Sequence, residues 1–216
     1  MKGRILAHRG FWEAPAERNT AAALRRALAA GFGLETDIRD LDGELVLSHD
    51  PPRAAQAPWT VAALLACYRD LGSEAWLALN IKADGLAAPL AALLAAHGIT
   101  RAFVFDMSVP DMRGWLGAGV PVFTRRSDIE PDPVLLPQSA GVWLDGFEIP
   151  FAPAAWADAT LGAGRMAALV SPELHRRAPL PAWEAWRAAL DLAGDPGLML
   201  CTDLPEDAVR FFGETR

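Results

Sequence analysis

Gly33-Leu34-Glu35-Thr36-Asp37-Ile38-Arg39-Asp40-Leu41-Asp42-Gly43-Glu44-Leu45-Val46-Leu47-Ser48-His49-Asp50 decides how the chain is laid out. Over residues 33–39, Glu35, Asp37 and Arg39 fall on one face of an extended chain, and Leu34, Thr36 and Ile38 on the other. Asp42-Gly43 then makes a tight turn, and residues 45–49 run back as a second apolar strand. A turn this short joins antiparallel strands, so 45–49 is a hairpin excursion from the sheet and not its next parallel strand.

Outward from this stretch, short apolar runs alternate with Ala/Leu-rich amphipathic segments, the pattern of parallel strands crossed by helices. Strands are expected at 4–8, 33–39, 75–82, 102–106, 121–124, 141–145, 166–171 and 198–202. Eight strands with one hairpin point to an α/β fold, a compact (β/α)8 TIM barrel, as one domain over residues 1–216. An open doubly wound sheet is the weaker alternative, because no glycine fingerprint follows the first strand. Helix starts are expected at Asn19 or Thr20, Thr60, Asp84, Ser108 and Pro181, and stops at Gly31, Gly72 and Gly98. The proline-rich segment 125–138 is too broken for a good helix, so one helical layer is expected to be degenerate there.

Composition excludes several classes. A net charge of −7 disfavours non-specific nucleic-acid binding but permits a small anionic substrate beside a metal ion. No apolar run approaches the roughly 18 residues of a membrane span, and the apolar run after Lys2 is too short for a signal peptide. The two cysteines, Cys67 and Cys201, lie far apart, which fits a reduced cytoplasmic chain. Oligomeric state leaves no mark on the sequence.

In a barrel of this kind, chemistry collects at the carboxyl ends of the strands. There the sequence places His8-Arg9, Glu35 with Asp37, His49-Asp50, Asn80-Ile81-Lys82, Asp106, Asp145, Ser171 and Asp203. Two inward carboxylates two residues apart can grip one hard cation, Mg²⁺ or Ca²⁺; the bland alternative is a buried ion network with Arg39 or Lys82. Asp203, just before Leu204-Pro205-Glu206-Asp207, reads as a helix N-cap, and Asp106 and Asp145 as caps or turn residues. His97 before Gly98 suits a helix C-terminus, and His175 reads as a solvated loop residue, with Ser171 and Glu173 as possible cleft-facing neighbours. Phe11, Trp12 and Trp143 are candidate cleft walls or packing residues.

The ordered set His8-Arg9-Gly10, Asn19-Thr20, Glu35-x-Asp37, His49-Asp50, Asn80-Ile81-Lys82 and Thr202-Asp203-Leu204-Pro205 resembles the glycerophosphodiester phosphodiesterase family. Its broader relatives are the phosphatidylinositol-specific phospholipases C and the sphingomyelinase D toxins. The resemblance is strongest over residues 4–82. It implies a metal-dependent phosphodiester hydrolase, acting on glycerophosphodiesters or related phospholipid-derived diesters. His8 and His49 would be the general acid/base pair, Glu35 and Asp37 metal ligands, and Arg9 and Lys82 phosphate contacts; Trp12 is a candidate substrate contact by its position directly after His8-Arg9-Gly10. Where the family offers a third carboxylate, this chain has Asn80, whose amide oxygen makes the cation site one negative charge poorer. The family's Glu-Asn-Thr run is also altered, to Glu17-Arg18-Asn19-Thr20. Readings left open beside this are a barrel that binds a phosphate ligand without turnover, a lyase releasing a cyclic phosphate, and an unrelated metal-dependent barrel acting on sugars.

Overall fold

The computed structural model describes residues 1–148 and 153–213. Among the described residues nine strands run β1 (Ile5–His8), β2 (Gly33–Leu41), β3 (Glu44–Leu47), β4 (Leu77–Ile81), β5 (Ala102–Phe105), β6 (Phe123–Arg126), β7 (Gly141–Leu144), β8 (Met166–Val170) and β9 (Leu198–Thr202). Eight of them pair in parallel in the order β5-β4-β2-β1-β9-β8-β7-β6. A bridge between Val104 and Val122 joins the two ends of that path, with the Val104 N–H donating to the Pro121 carbonyl at 2.9 Å. The ring is therefore a (β/α)8 barrel, as the strand count predicts. β3 stands outside it, antiparallel to β2 with Ile38 opposite Leu47 and Leu41 opposite Glu44. Positive φ at Asp42 (51°) and Gly43 (88°) makes the turn.

Helices α1 (Ala21–Ala29), α2 (Val61–Asp70), α3 (Ala87–Ala96), α4 (Val109–Gly117), α5 (Pro153–Gly162), α6 (Leu180–Ala189) and α7 (Pro205–Gly213) wrap the ring. Thr20, Thr60 and Ser108 cap α1, α2 and α4 by accepting a backbone N–H three residues on. Asp84 does not open α3. Gly85, at φ 83°, turns the chain first, and the helix begins after Leu86 with no side-chain cap. Between β6 and β7 the described chain holds one short 3-10 turn, Leu136–Gln138, and no α-helix, where the prolines lead one to expect the gap.

Strand alternation sorts the core into two shells. Ile5, Leu34, Leu79, Val104 and Leu200 pack outward against the helices. Leu6, Ala78, Phe103, Phe105, Phe123, Trp143, Ala168 and Met199 fill the barrel. The inner filling is lopsided. Phe103 stacks on Phe123 at 3.8 Å and Phe105 on Trp143 at 3.9 Å, so aromatic rings occupy the β5–β7 side. Gly141 makes room for them, since a Cβ there would meet the Phe123 ring at 2.5 Å. Trp143 is thus a packing residue. So is Phe11, edge-on to Phe32 at 5.8 Å.

Candidate active site

The same alternation carries polar residues into the carboxyl-end mouth. Two residues beyond Leu6 comes His8, and two beyond Ala78 comes Asn80; Trp143 is followed in phase by Asp145. Parallel register sets His8 beside Glu35 and Asp37 beside Asn80. Glu35 and Asp37 are 2% and 0% exposed, so both acids are held away from bulk water.

His8 is gripped at one nitrogen and open at the other. Nδ1 lies 2.7 Å from Asp203 Oδ1, while Nε2 faces Glu35 Oε2 at 3.9 Å. An aspartate at Nδ1 favours the tautomer that carries its proton there, which leaves Nε2 free to exchange a proton with a bound molecule. Glu35 also accepts the Arg9 N–H at 3.2 Å. Burial, then the adjacent Asp37 carboxylate, pushes Glu35 up to about 7.

Asp37 gathers the cations. Arg9 Nε lies 3.0 Å from its Oδ2, Lys82 Nζ 3.4 Å from its Oδ1, and the Asn19 amide donates to Oδ2 at 2.8 Å. Arg9 (φ 56°) and Asn19 (φ 58°) both occupy the left-handed region. Their mutual backbone bond, Asn19 N–H to Arg9 O at 2.9 Å, locks the loop in that shape. Gly10 lets helix α1 come close, since a Cβ there would sit 2.8 Å from the Ala23 carbonyl carbon. Arg39 is not part of this network. It donates to the His49 carbonyl at 3.0 Å.

The donor set suits a hard cation. Asn80 Oδ1 is buried without a hydrogen-bond partner, Asp37 Oδ1 is buried with only the Lys82 ammonium at 3.4 Å, and Glu35 is buried beside the Asp37 carboxylate. Among the described residues no three or more histidine, cysteine, aspartate or glutamate side chains converge as a metal site. Two acids and one neutral amide oxygen make up this set. Asn80 uses its amide nitrogen to donate to Asp106 at 3.3 Å, which aims its oxygen away from that acid.

No family model and no curated protein matches the sequence. Solved structures do match. A glycerophosphodiester phosphodiesterase from Agrobacterium tumefaciens superposes with a TM-score of 0.68 at 18% identity, covering 98% of this chain and 99% of that one. A phosphodiesterase from Oleispira antarctica, solved with its product sn-glycerol-3-phosphate, gives 0.67 at 17%, covering 98% and 97%. A glycerophosphoryl diester phosphodiesterase from Parabacteroides distasonis gives 0.64 at 14%, covering 97% and 85%. The chain has the glycerophosphodiester phosphodiesterase fold.

Within that phosphodiesterase fold, His8, Arg9, Glu35, Asp37 and Lys82 form one connected cluster, and Asn80 abuts it through the β2–β4 ladder. Trp12 lies alongside, its Nε1 donating to the His8 carbonyl at 3.1 Å and its ring under the Arg18 guanidinium at 4.4 Å. His49 stands apart from these contacts. Ser48 N–H bonds the Asp37 carbonyl at 3.0 Å, so the backbone just before His49 is tied to the strand that carries Glu35 and Asp37. The ring itself is 47% exposed and paired with Asp50 at 2.8 Å.

Three readings are corrected. Asp203 does not act as an N-cap; its carboxylate holds His8 and, at 3.3 Å, Arg18. Barrel closure foretells this, because the register Ala7 opposite Thr202 sets the next residues, His8 and Asp203, side by side. Asp106 does turn the chain after β5, at φ 64°, but its carboxylate and that of Asp145 also serve partners across the mouth. Asp106, pushed up by burial, accepts from Arg125 at 3.0 Å, and Asp145 lies 2.6 Å from His175 Nε2. His175 is no solvated loop residue. It is 22% exposed and sits edge-on to Phe147 at 5.0 Å.

Proposed function

We propose that this protein is a metal-dependent phosphodiester hydrolase acting on glycerophosphodiesters or related phospholipid-derived diesters. The observation that carries the reading is His8, oriented at Nδ1 by Asp203, with Nε2 turned toward buried Glu35 beside Arg9 and Lys82. The shared fold with phosphodiesterases, one of them solved with a glycerol phosphate, supports the substrate class. Free, buried cysteines agree with a reducing cytoplasmic setting, and no described helix is long and apolar enough to cross a membrane.

Glu35, Asp37 and Asn80 Oδ1 would hold one divalent cation, Mg²⁺ or Ca²⁺. When bound, such an ion supplies Lewis-acid polarisation of a phosphoryl oxygen. Arg9 and Lys82, drawn together by Asp37, bind the phosphate's remaining negative oxygens and meet the charge that grows on them. Trp12 walls the substrate. His8 Nε2 exchanges a proton with one of the two reacting oxygens, and His49, tethered at Nδ1, serves the other through its own Nε2. One imidazole accepts the attacking hydroxyl's proton while the other protonates the departing alcohol, so activity follows a bell-shaped pH curve.

Incubating the protein with glycerophosphodiesters, lysophospholipids and cyclic phosphates, with Mg²⁺, Ca²⁺ or chelator, tests this. Phosphorus resonance distinguishes a phosphomonoester from a cyclic product. Absence of alcohol release from every diester under every metal condition overturns the reading.

A further inference from the structure

His8 owes its orientation to Asp203, and Asp203 is itself pinned from outside the mouth. The loop after β8 begins at Ser171, which is fully buried, and continues into the short turn Pro172–His175. From that turn the Glu173 carboxylate reaches across to the end of β9. Its Oε1 accepts the Thr202 hydroxyl and the Asp203 backbone N–H, the latter at 3.1 Å. Its Oε2 accepts the Ser171 hydroxyl, whose oxygen in turn accepts the Trp183 indole N–H from α6 at 2.8 Å. Thr202 Oγ1 also accepts the Leu204 N–H at 3.0 Å, closing the corner on the α7 side.

We infer that Glu173 is a positioning residue for His8, acting through Asp203. Three donors converge on one side chain, and a carboxylate accepts from all of them without offering a competing donor. Its bond to the Asp203 peptide N–H fixes the direction in which the Asp203 side chain leaves the backbone. That direction delivers Oδ1 to His8 Nδ1 at 2.7 Å and Oδ2 to Arg18 at 3.3 Å. The His8 ring is held at Nδ1 and presents Nε2 to the mouth. Trp183, 1% exposed, anchors the far end in the layer between barrel and helices. The chain Trp183–Ser171–Glu173–Asp203–His8 thus runs from rigid packing to the reactive nitrogen, as a preorganised site requires.

Glu173→Gln is the decisive variant. It keeps size and one acceptor oxygen but replaces Oε2 with a donor that confronts the Ser171 hydroxyl. The His8 Nδ1–H resonance is read at fixed pH in protein with ¹⁵N-labelled histidine, and assigned by its loss in His8→Ala. In Glu173→Gln this signal should move upfield and broaden, with circular dichroism unchanged. The kcat should fall about tenfold while KM stays within about twofold, because proton transfer and not binding is disturbed. Combined with Asp203→Asn, Glu173→Gln should add no further loss, since both act through one bond. An unmoved resonance, or losses that multiply in the double variant, overturns the inference. Should Glu173→Gln fail to fold, Ser171→Ala frees Oε2 alone and should shift the same resonance by less; no shift there is equally fatal.

The kinetic arm rests on the proposed phosphodiesterase activity, whereas the resonance needs no substrate. A wild-type protein inert toward every diester sinks that activity and leaves the positioning role to the spectrum.

Discussion

His8 and His49 each meet an aspartate through Nδ1, at 2.7 and 2.8 Å, yet the two pairs live in opposite surroundings. His8 and Asp203 are 15% and 12% exposed, whereas His49 and Asp50 are 47% and 89% exposed. The exposed contact lies between adjacent residues at a hairpin exit, in full reach of water and salt. Such pairs hold geometry poorly. The buried contact joins residues 195 apart in sequence and is backed by Glu173. Equal lengths therefore mean different things: the His8 ring is fixed by buried surroundings, whereas the His49 ring is held only by an exposed neighbour.

Removing either ring is the bluntest way to probe that contrast. His8→Ala and His49→Ala should each lower kcat by about 10³-fold or more with circular dichroism unchanged, since the proposed mechanism gives each ring one proton transfer. Activity close to wild type in either variant removes that histidine from the acid/base pair. The partners should separate the two. Asp203→Asn is expected to cost about 10²-fold in kcat, with KM nearly constant, by releasing the His8 tautomer.

Glu35, the acid facing His8, gives the buried side a stability signature. Its folded pKa is raised, to about 7, so between its ordinary value and 7 the folded state holds a proton that the unfolded chain has released. Stability of the metal-free protein should therefore fall as pH rises through that window and level off above it. Relative to Glu35→Gln, the decline in denaturant unfolding should reach up to about 3 kcal/mol. A flat difference between the two proteins rejects it. Asn80→Glu, one strand from Asp37, should tighten divalent cation binding about tenfold by calorimetry and lower the metal-free Tm, because a third acid joins the cluster. The smallest effect belongs to the exposed pair. Asp50→Asn should change kcat by less than about threefold; a loss as deep as that of Asp203→Asn erases the distinction between the two histidines.

The fold was largely legible because its signals are local. Alternation in Gly33–Leu41, the Asp42-Gly43 turn and the Thr20, Thr60 and Ser108 caps each need only a few neighbouring residues. Residues of the mouth were legible where a strand places them in phase, as with His8, Glu35, Asp37 and Lys82. Partners supplied by loops were not. Asp203 carries a helix-start context strong enough to hide its role, although ring closure puts it beside His8. Glu173, legible only as a possible cleft-facing neighbour, and His175 reach their partners from a short turn whose course no periodicity encodes. Asn19 stands next to the true cap, Thr20, and its left-handed backbone sends its amide to Asp37 and its oxygen to the Thr36 hydroxyl.

The join between β5 and β6 has a consequence of its own. Every other neighbouring pair of barrel strands is laced by a ladder, but these two meet at the Val104–Val122 bridge, with stacked Phe103 and Phe123 across them. Rings resist separation without fixing slide, so amides along this line should trade hydrogen for deuterium sooner than those flanking β1. The barrel is a hoop with a clasp, and the clasp lies away from the strand that carries His8.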